Sequence, residues 1–122
     1  LVGSEMCIRD SGGYQVRDVI HARDLARLFY EFISDPRPGE VYNVGGSRKN
    51  SISLLEAIDL IEEITGKRIK YDFGPVREGD HIWWISNIKK VKSHYPHWDP
   101  KTGLKEIFKE IYEVQEEMLH EK

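Results

Sequence analysis

A chain of 122 residues, 39% hydrophobic and 32% charged, is sized for a single globular core and too short for two comfortable domains. Its net charge of −3, with basic residues scattered among acids and densest only at Lys89, Lys90 and Lys92, excludes the basic stripe that nucleic-acid binding needs, and no apolar run reaches membrane-span length. The single cysteine, Cys7, excludes an internal disulfide framework and fits a reducing compartment, the cytoplasm.

In chain order, "LVGSEMCIRDS" (residues 1–11) has no periodicity, no turn logic and no pairing pattern. Its Glu5–Asp10 hexapeptide can be encoded by GAGATGTGTATAAGAGAC, which resembles the end of a transposase adapter used in sequencing libraries. Residues 1–11 are therefore expected to be a non-native extension, and 12–122 the native part. "YQVRDVIH" reads as a short strand running into a helix over "ARDLARLFYEFI", where Leu25, Leu28, Phe29, Phe32 and Ile33 form one apolar stripe. Asp35-Pro36-Arg37-Pro38-Gly39 stops that helix, because proline cannot continue it and glycine supplies the turn. "EVYNV" is the next expected strand, ended by Gly45-Gly46.

Ser53 and Glu56 have capping-box spacing and open a helix that buries Leu54, Ile58 and Ile61 and stops at Gly66. "RIKYDF" alternates Ile69, Tyr71 and Phe73 with polar residues, as a half-buried strand does. Gly74-Pro75 then leads into "VREGDHIWWIS", where a charged run feeds two adjacent tryptophans. On an extended backbone Trp83 and Trp84 point to opposite faces, one toward the core and one toward a ligand. A short helix over Asn87–His94 ends near Pro96, and a last helix from Thr102 carries Leu104, Ile107, Phe108, Ile111, Met118 and Leu119. Alternating strands and helices make this an α/β chain with a small mixed sheet. The core is small for the helix it must cover, and an unfilled docking face is expected.

Several chemistries are missing. Gly12-Gly13 and Gly45-Gly46 are isolated pairs, not the spaced triplet that cradles a dinucleotide pyrophosphate. None of the six tyrosines has a lysine four residues later, so no Tyr/Lys proton-transfer pair shares a helical face. His94 and His97 flank Pro96 without further paired ligands, which gives no metal set. Two arginines stand beside features suited to a diphosphate. A guanidinium offers a phosphate parallel charge-assisted hydrogen bonds, each worth roughly 1.5–3 kcal/mol. Arg17 lies at a strand end and has the alternative of pairing with Asp18 or Asp24. Arg77 precedes a glycine and Asp80, which could accept from a ribose hydroxyl.

"QVRDVIHARDLARLF", "GEVYNVGGSRKNSISLLEAIDLIEEITGK" and "VREGDHIWWISNIKKVK", in this order and covering nearly all of residues 13–113, resemble the C-terminal, substrate-binding part of an extended short-chain dehydrogenase/reductase. The family comprises the NAD-dependent nucleotide-sugar epimerases and dehydratases. "GDHIWWIS" followed by "KSHYPHW" is most similar to members that epimerise CDP-bound dideoxyhexoses at C2, while "REGD" is shared with UDP-sugar 4-epimerases; Asn87 stands where the family carries Asp. The resemblance implies that the dinucleotide-binding half, with its NAD and its Tyr/Lys acid–base pair, lies outside this chain, which alone would then be inactive. It further implies that Arg17 and Arg77 converge on the substrate diphosphate, that Asp80 holds the ribose, and that Trp84 lies beside the sugar. Asn43 is expected to support its loop and His21 to bond backbone. The implied partner is a nucleotide-diphosphate sugar, and the implied parent a possible homo-oligomer. The alternatives are a 4-epimerase or 4,6-dehydratase fragment, or a stand-alone binding module without catalysis.

Overall fold

The computed structural model describes residues 6–8 and 11–120, apart from the side chains of Met6 and Ser11. Of the expected extension, residues 1–5, 9 and 10 lie outside the described residues. The described residues gather into two compact units where one core was expected. The first unit takes those of Leu1–Arg17, Ile52–Trp84 and Phe108–Lys122, and the second takes Asp18–Ser51 and Ile85–Ile107.

Among the described residues the strands are β1 (Met6–Ile8), β2 (Val16–Asp18), β3 (Ser51–Ser53), β4 (Tyr71–Phe73) and β5 (Trp83–Trp84). The helices are α1 (Ala22–Ser34), α2 (Leu54–Thr65), α3 (Lys89–His94) and α4 (Leu104–His120). One sheet pairs β1 with β4 in parallel, with Cys7 opposite Asp72 and Ile8 opposite Phe73. Met6–Ile8, read as patternless, thus has a strand partner, and Ile8 is only 2% exposed. A three-residue strand carries too few alternations for a period to register in sequence. The other sheet has the order β3-β2-β5, with β2 and β5 parallel. Among the described residues no helix is long and apolar enough to cross a membrane.

Helix ends follow the local chemistry. His21 is the N-cap of α1, its Nδ1 accepting from the Arg23 amide at 2.9 Å, which bears out a backbone role for this histidine. At α2 both halves of the capping box form: the Glu56 amide donates to Ser53 Oγ at 3.2 Å, and the Ser53 amide donates to Glu56 Oε2 at 2.8 Å. That backbone bond, with the Ser53 hydroxyl, holds the Glu56 carboxyl below its usual range. Gly66 ends α2 at a φ of 68°, a left-handed conformation that glycine adopts without steric cost. Ser53→Ala is expected to lower stability by about 1 kcal/mol, read as a lower thermal midpoint and faster amide exchange at the start of α2.

The second unit is built on Leu28, Ile88, Val91, Tyr95 and Trp98, against which Ile20, Tyr42 and Val44 pack. In the first unit Ile8 and Ile58 are buried, and Gly13 lies against Leu55 so closely that a Cβ would come within 2.7 Å of its Cγ. Three expectations are corrected. "EVYNV" is not a strand: its side chains alternate outward and inward as a strand's do, but among the described residues no neighbouring backbone pairs with it. Tyr71 and Phe73 in β4 are exposed, although Ile8, opposite Phe73 in the same parallel pair, is buried. The helical stripes are only partly used. Leu28 and Ile107 are buried, Leu54 and Ile61 half-buried, and Phe29, Phe32, Ile33, Ile111, Met118 and Leu119 exposed.

Candidate functional site

Of the residues singled out in sequence, the fold brings two into register. In the parallel pair β2–β5, Val16 stands opposite Trp83 and Arg17 opposite Trp84. The pleat therefore sets Arg17 and Trp84 on one face of the sheet. The ladder begins just before the tryptophans, where the Val16 amide donates to the Ile82 carbonyl at 2.8 Å. Buried Gln15 extends it, donating from Nε2 to the His81 carbonyl at 3.0 Å. His81, which sequence reading passed over, places its ring 5.5 Å from that of Trp84 at a tilt of 37°. Its charged neighbours hid it, although it lies only three residues before the tryptophan.

Neither tryptophan enters a core: Trp83 is 69% and Trp84 58% exposed. Their strand is two residues long at a sheet edge, so alternation turns the side chains to opposite faces, and of the two only Trp84 has a ring neighbour among the described residues, His81. Arg17 is half-buried and donates from Nη1 to the Val16 carbonyl at 2.8 Å. Arg77 and Asp80 lie in the exposed turn before β5, where Gly79 takes a φ of 82°, and neither forms a hydrogen bond or ion pair among the described residues. A hollow of about 320 Å³ beside Gly66 and Arg68 at the end of α2 is lined by none of these residues.

The carboxylates considered as partners for Arg17 are engaged elsewhere. Asp18 Oδ2 accepts from the amides of Ser47 at 3.0 Å and Ser86 at 3.1 Å, which ties two loops to one side chain. Asp24, 1% exposed, accepts from the Thr102 amide through Oδ2 at 2.9 Å, while Arg27 Nη2 lies 3.4 Å from Oδ1. The Asp24 carbonyl takes the indole N–H of Trp98 at 2.9 Å. Burial works against the Asp24 carboxylate, but hydrogen bonds from Thr102 and Lys101 and the Arg27 charge outweigh it and lower its pKa. Asn43 is exposed and makes no hydrogen bond among the described residues, so it does not brace its loop through its side chain.

The glycine pairs do not open a cradle. A Cβ on Gly46 would run into the Val19 carbonyl and come within 2.7 Å of Asn50 Cβ, and one on Gly45 would meet the Asp18 carboxylate and Ser86. These glycines let protein pack on protein, so the residues present do not fit the pyrophosphate of a dinucleotide such as NAD.

No family model matches the chain. The CDP-paratose 2-epimerase of Salmonella typhi is 34% identical over 103 residues, covering 83% of this chain and 30% of that protein. A crystal structure of the UDP-glucose 4-epimerase of Thermotoga maritima with UDP-glucose superposes with a TM-score of 0.76 at 30% identity, over 96% of this chain and 36% of that one. The UDP-glucose 4-epimerase of Stenotrophomonas maltophila, with bound NAD and formylated UDP-arabinopyranose, gives a TM-score of 0.82 over 97% of this chain and 37% of that one; at 24% identity it speaks for the fold alone. The chain thus spans about a third of the length of the proteins it matches.

Proposed function

The chain belongs to the nucleotide-sugar epimerases and dehydratases of the extended short-chain dehydrogenase/reductase family, and on that premise we propose that it is the substrate-binding part of a CDP-paratose (CDP-tyvelose) 2-epimerase. The observation that carries this reading is the register of Arg17 with Trp84, which sets the two residues on one face of the β2–β5 ladder. Arg17 and Arg77 would grip the diphosphate, Asp80 would accept from the ribose, and Trp84 would offer its apolar face to a dideoxyhexose. NAD and the acid–base pair of the reaction would be held by residues outside this chain, so the 122 residues alone would bind nucleotide without turning over sugar.

Titration of the chain with CDP and with UDP, followed by the indole N–H signals in NMR, tests the reading. The Trp84 signal should move with CDP while the Trp98 signal, buried and bonded to the Asp24 carbonyl, stays in place. Arg17→Ala should weaken CDP binding about tenfold or more, the loss of one charge-assisted contact. If neither nucleotide moves Trp84, the diphosphate site is wrong and a non-catalytic module becomes the better reading. The likeness to UDP-glucose 4-epimerases supports a second reading at C4. Turnover by the intact enzyme of CDP-paratose against UDP-glucose separates the two.

A further inference from the structure

A hollow of about 270 Å³ lies in the second unit between α1 and residues 97–101, lined by Arg27, Tyr30, Glu31, His97, Trp98 and Lys101. It falls below the range of about 300–1,000 Å³ that takes drug-sized ligands, so its size suits a small one. Two of its walls are fixed. Arg27 donates from Nη2 to the Asp99 carbonyl at 2.6 Å and shares its charge with Asp24 Oδ1, 3.4 Å away. Buried Trp98 is pinned by its indole N–H on the Asp24 carbonyl. The Lys101 ammonium, the Glu31 carboxylate, the His97 ring and the Tyr30 hydroxyl, by contrast, make no hydrogen bond or ion pair among the described residues. Glu31 stands one helical turn from Arg27, yet the guanidinium turns to Asp24 and Asp99 and leaves this carboxylate unpaired.

Two cations beside an unpaired carboxylate make a selective donor set. The guanidinium and the ammonium both suit an oxyanion, through charge-assisted hydrogen bonds. The carboxylate only accepts, so it repels an anion that has no hydrogen to give it. Inorganic phosphate keeps a P–O–H at neutral pH and sulfate has none. A phosphate monoester, whose last proton leaves near pH 6, has lost its own by about pH 7.5. We propose that this hollow binds free inorganic phosphate, held by Arg27 and Lys101 and told from other oxyanions by Glu31, which accepts from the P–O–H. Arg17, Arg77, Asp80 and Trp84 line no part of it, and the proposal does not rest on the sugar nucleotide assigned above.

The test titrates the 122-residue chain at about pH 7.5 and constant ionic strength with phosphate, sulfate and glycerol 3-phosphate, followed by NMR at the Arg27, His97 and Lys101 side chains. Phosphate should give saturable shifts there, with a Kd at least about tenfold below those of the other two, the worth of one charge-assisted hydrogen bond. Glu31→Gln should bring the three anions within about twofold of one another, because an amide can donate as well as accept. Lys101→Met should weaken phosphate about tenfold and keep the preference. An unmoved Trp98 indole signal in both variants shows that the unit is still folded. Shifts that do not saturate, sulfate binding as tightly as phosphate, or a preference that survives Glu31→Gln would each overturn the proposal. Glycerol 3-phosphate binding as tightly as phosphate would also overturn it, by making an ester the ligand.

Discussion

Asp24→Ala should destabilise the second unit by about 3 kcal/mol, among the largest effects of any single side-chain truncation in the chain. The change strands the buried Thr102 amide and takes from Arg27 its carboxylate neighbour, and an unsatisfied buried donor alone costs roughly 1–3 kcal/mol. Asp24→Asn keeps an acceptor for Thr102 and should cost about 1 kcal/mol. Urea unfolding followed at the Trp98 indole signal reads the loss inside the right unit, because that N–H ends on Asp24 itself. The acid limb gives a second signature. The folded-state pKa of Asp24 lies below its usual value of 3.8, so the unfolded chain takes up the proton first as pH falls. The carboxylate's contribution is therefore fully present above that value and is lost as pH drops through the lower, folded value. Asp24→Asn should flatten this part of the stability–pH curve, and an unchanged acid limb would mean that another group carries it.

Gly46→Ala should be at least as damaging, at about 3 kcal/mol or more, or leave the second unit unfolded. The new methyl would occupy the space of the Val19 carbonyl, and backbone cannot swing aside as a side chain can. The same shift would strain the bonds around it: the Val19 amide donates to the Asn50 carbonyl at 2.9 Å, and buried Asn50 donates from Nδ2 to the Thr102 carbonyl at 2.7 Å. Gly45→Ala is the informative comparison, since its obstacles are the Asp18 carboxylate and the Ser86 side chain, which can rotate away. A milder loss is expected there, read as a smaller drop in thermal midpoint. Equal losses in the two variants would mean that backbone flexibility, not close approach, is what these glycines supply.

Helices were the legible part of this chain. Their stops and caps depend on residues within one turn of each other, so Ser53 with Glu56, Gly66, and the prolines after Asp35 could be placed from local chemistry, and all appear in the structure. The strands were less so. β4 was recognised but came out shorter and more exposed than its pattern implied, and residues 40–44 kept a strand's alternation without a ladder. Alternation records which side chains face inward; a ladder also needs a neighbouring backbone, on which the pattern is silent.

The same division runs through the candidate site. Arg17, Arg77, Asp80 and Trp84 could be named from motif, but that Arg17 and Trp84 share a register follows only from the parallel pairing of β2 with β5. Asp18 and Asp24 looked like possible partners for a nearby arginine. Their real partners, Ser86 and Thr102, lie 68 and 78 residues along the chain from them. Composition, helix limits and family were thus determined by the order of residues alone, because each rests on interactions within a few positions or on motifs carried whole. Which carboxylates become buried joints, which glycines admit a backbone and which strand edge stays open were decided only when distant segments met.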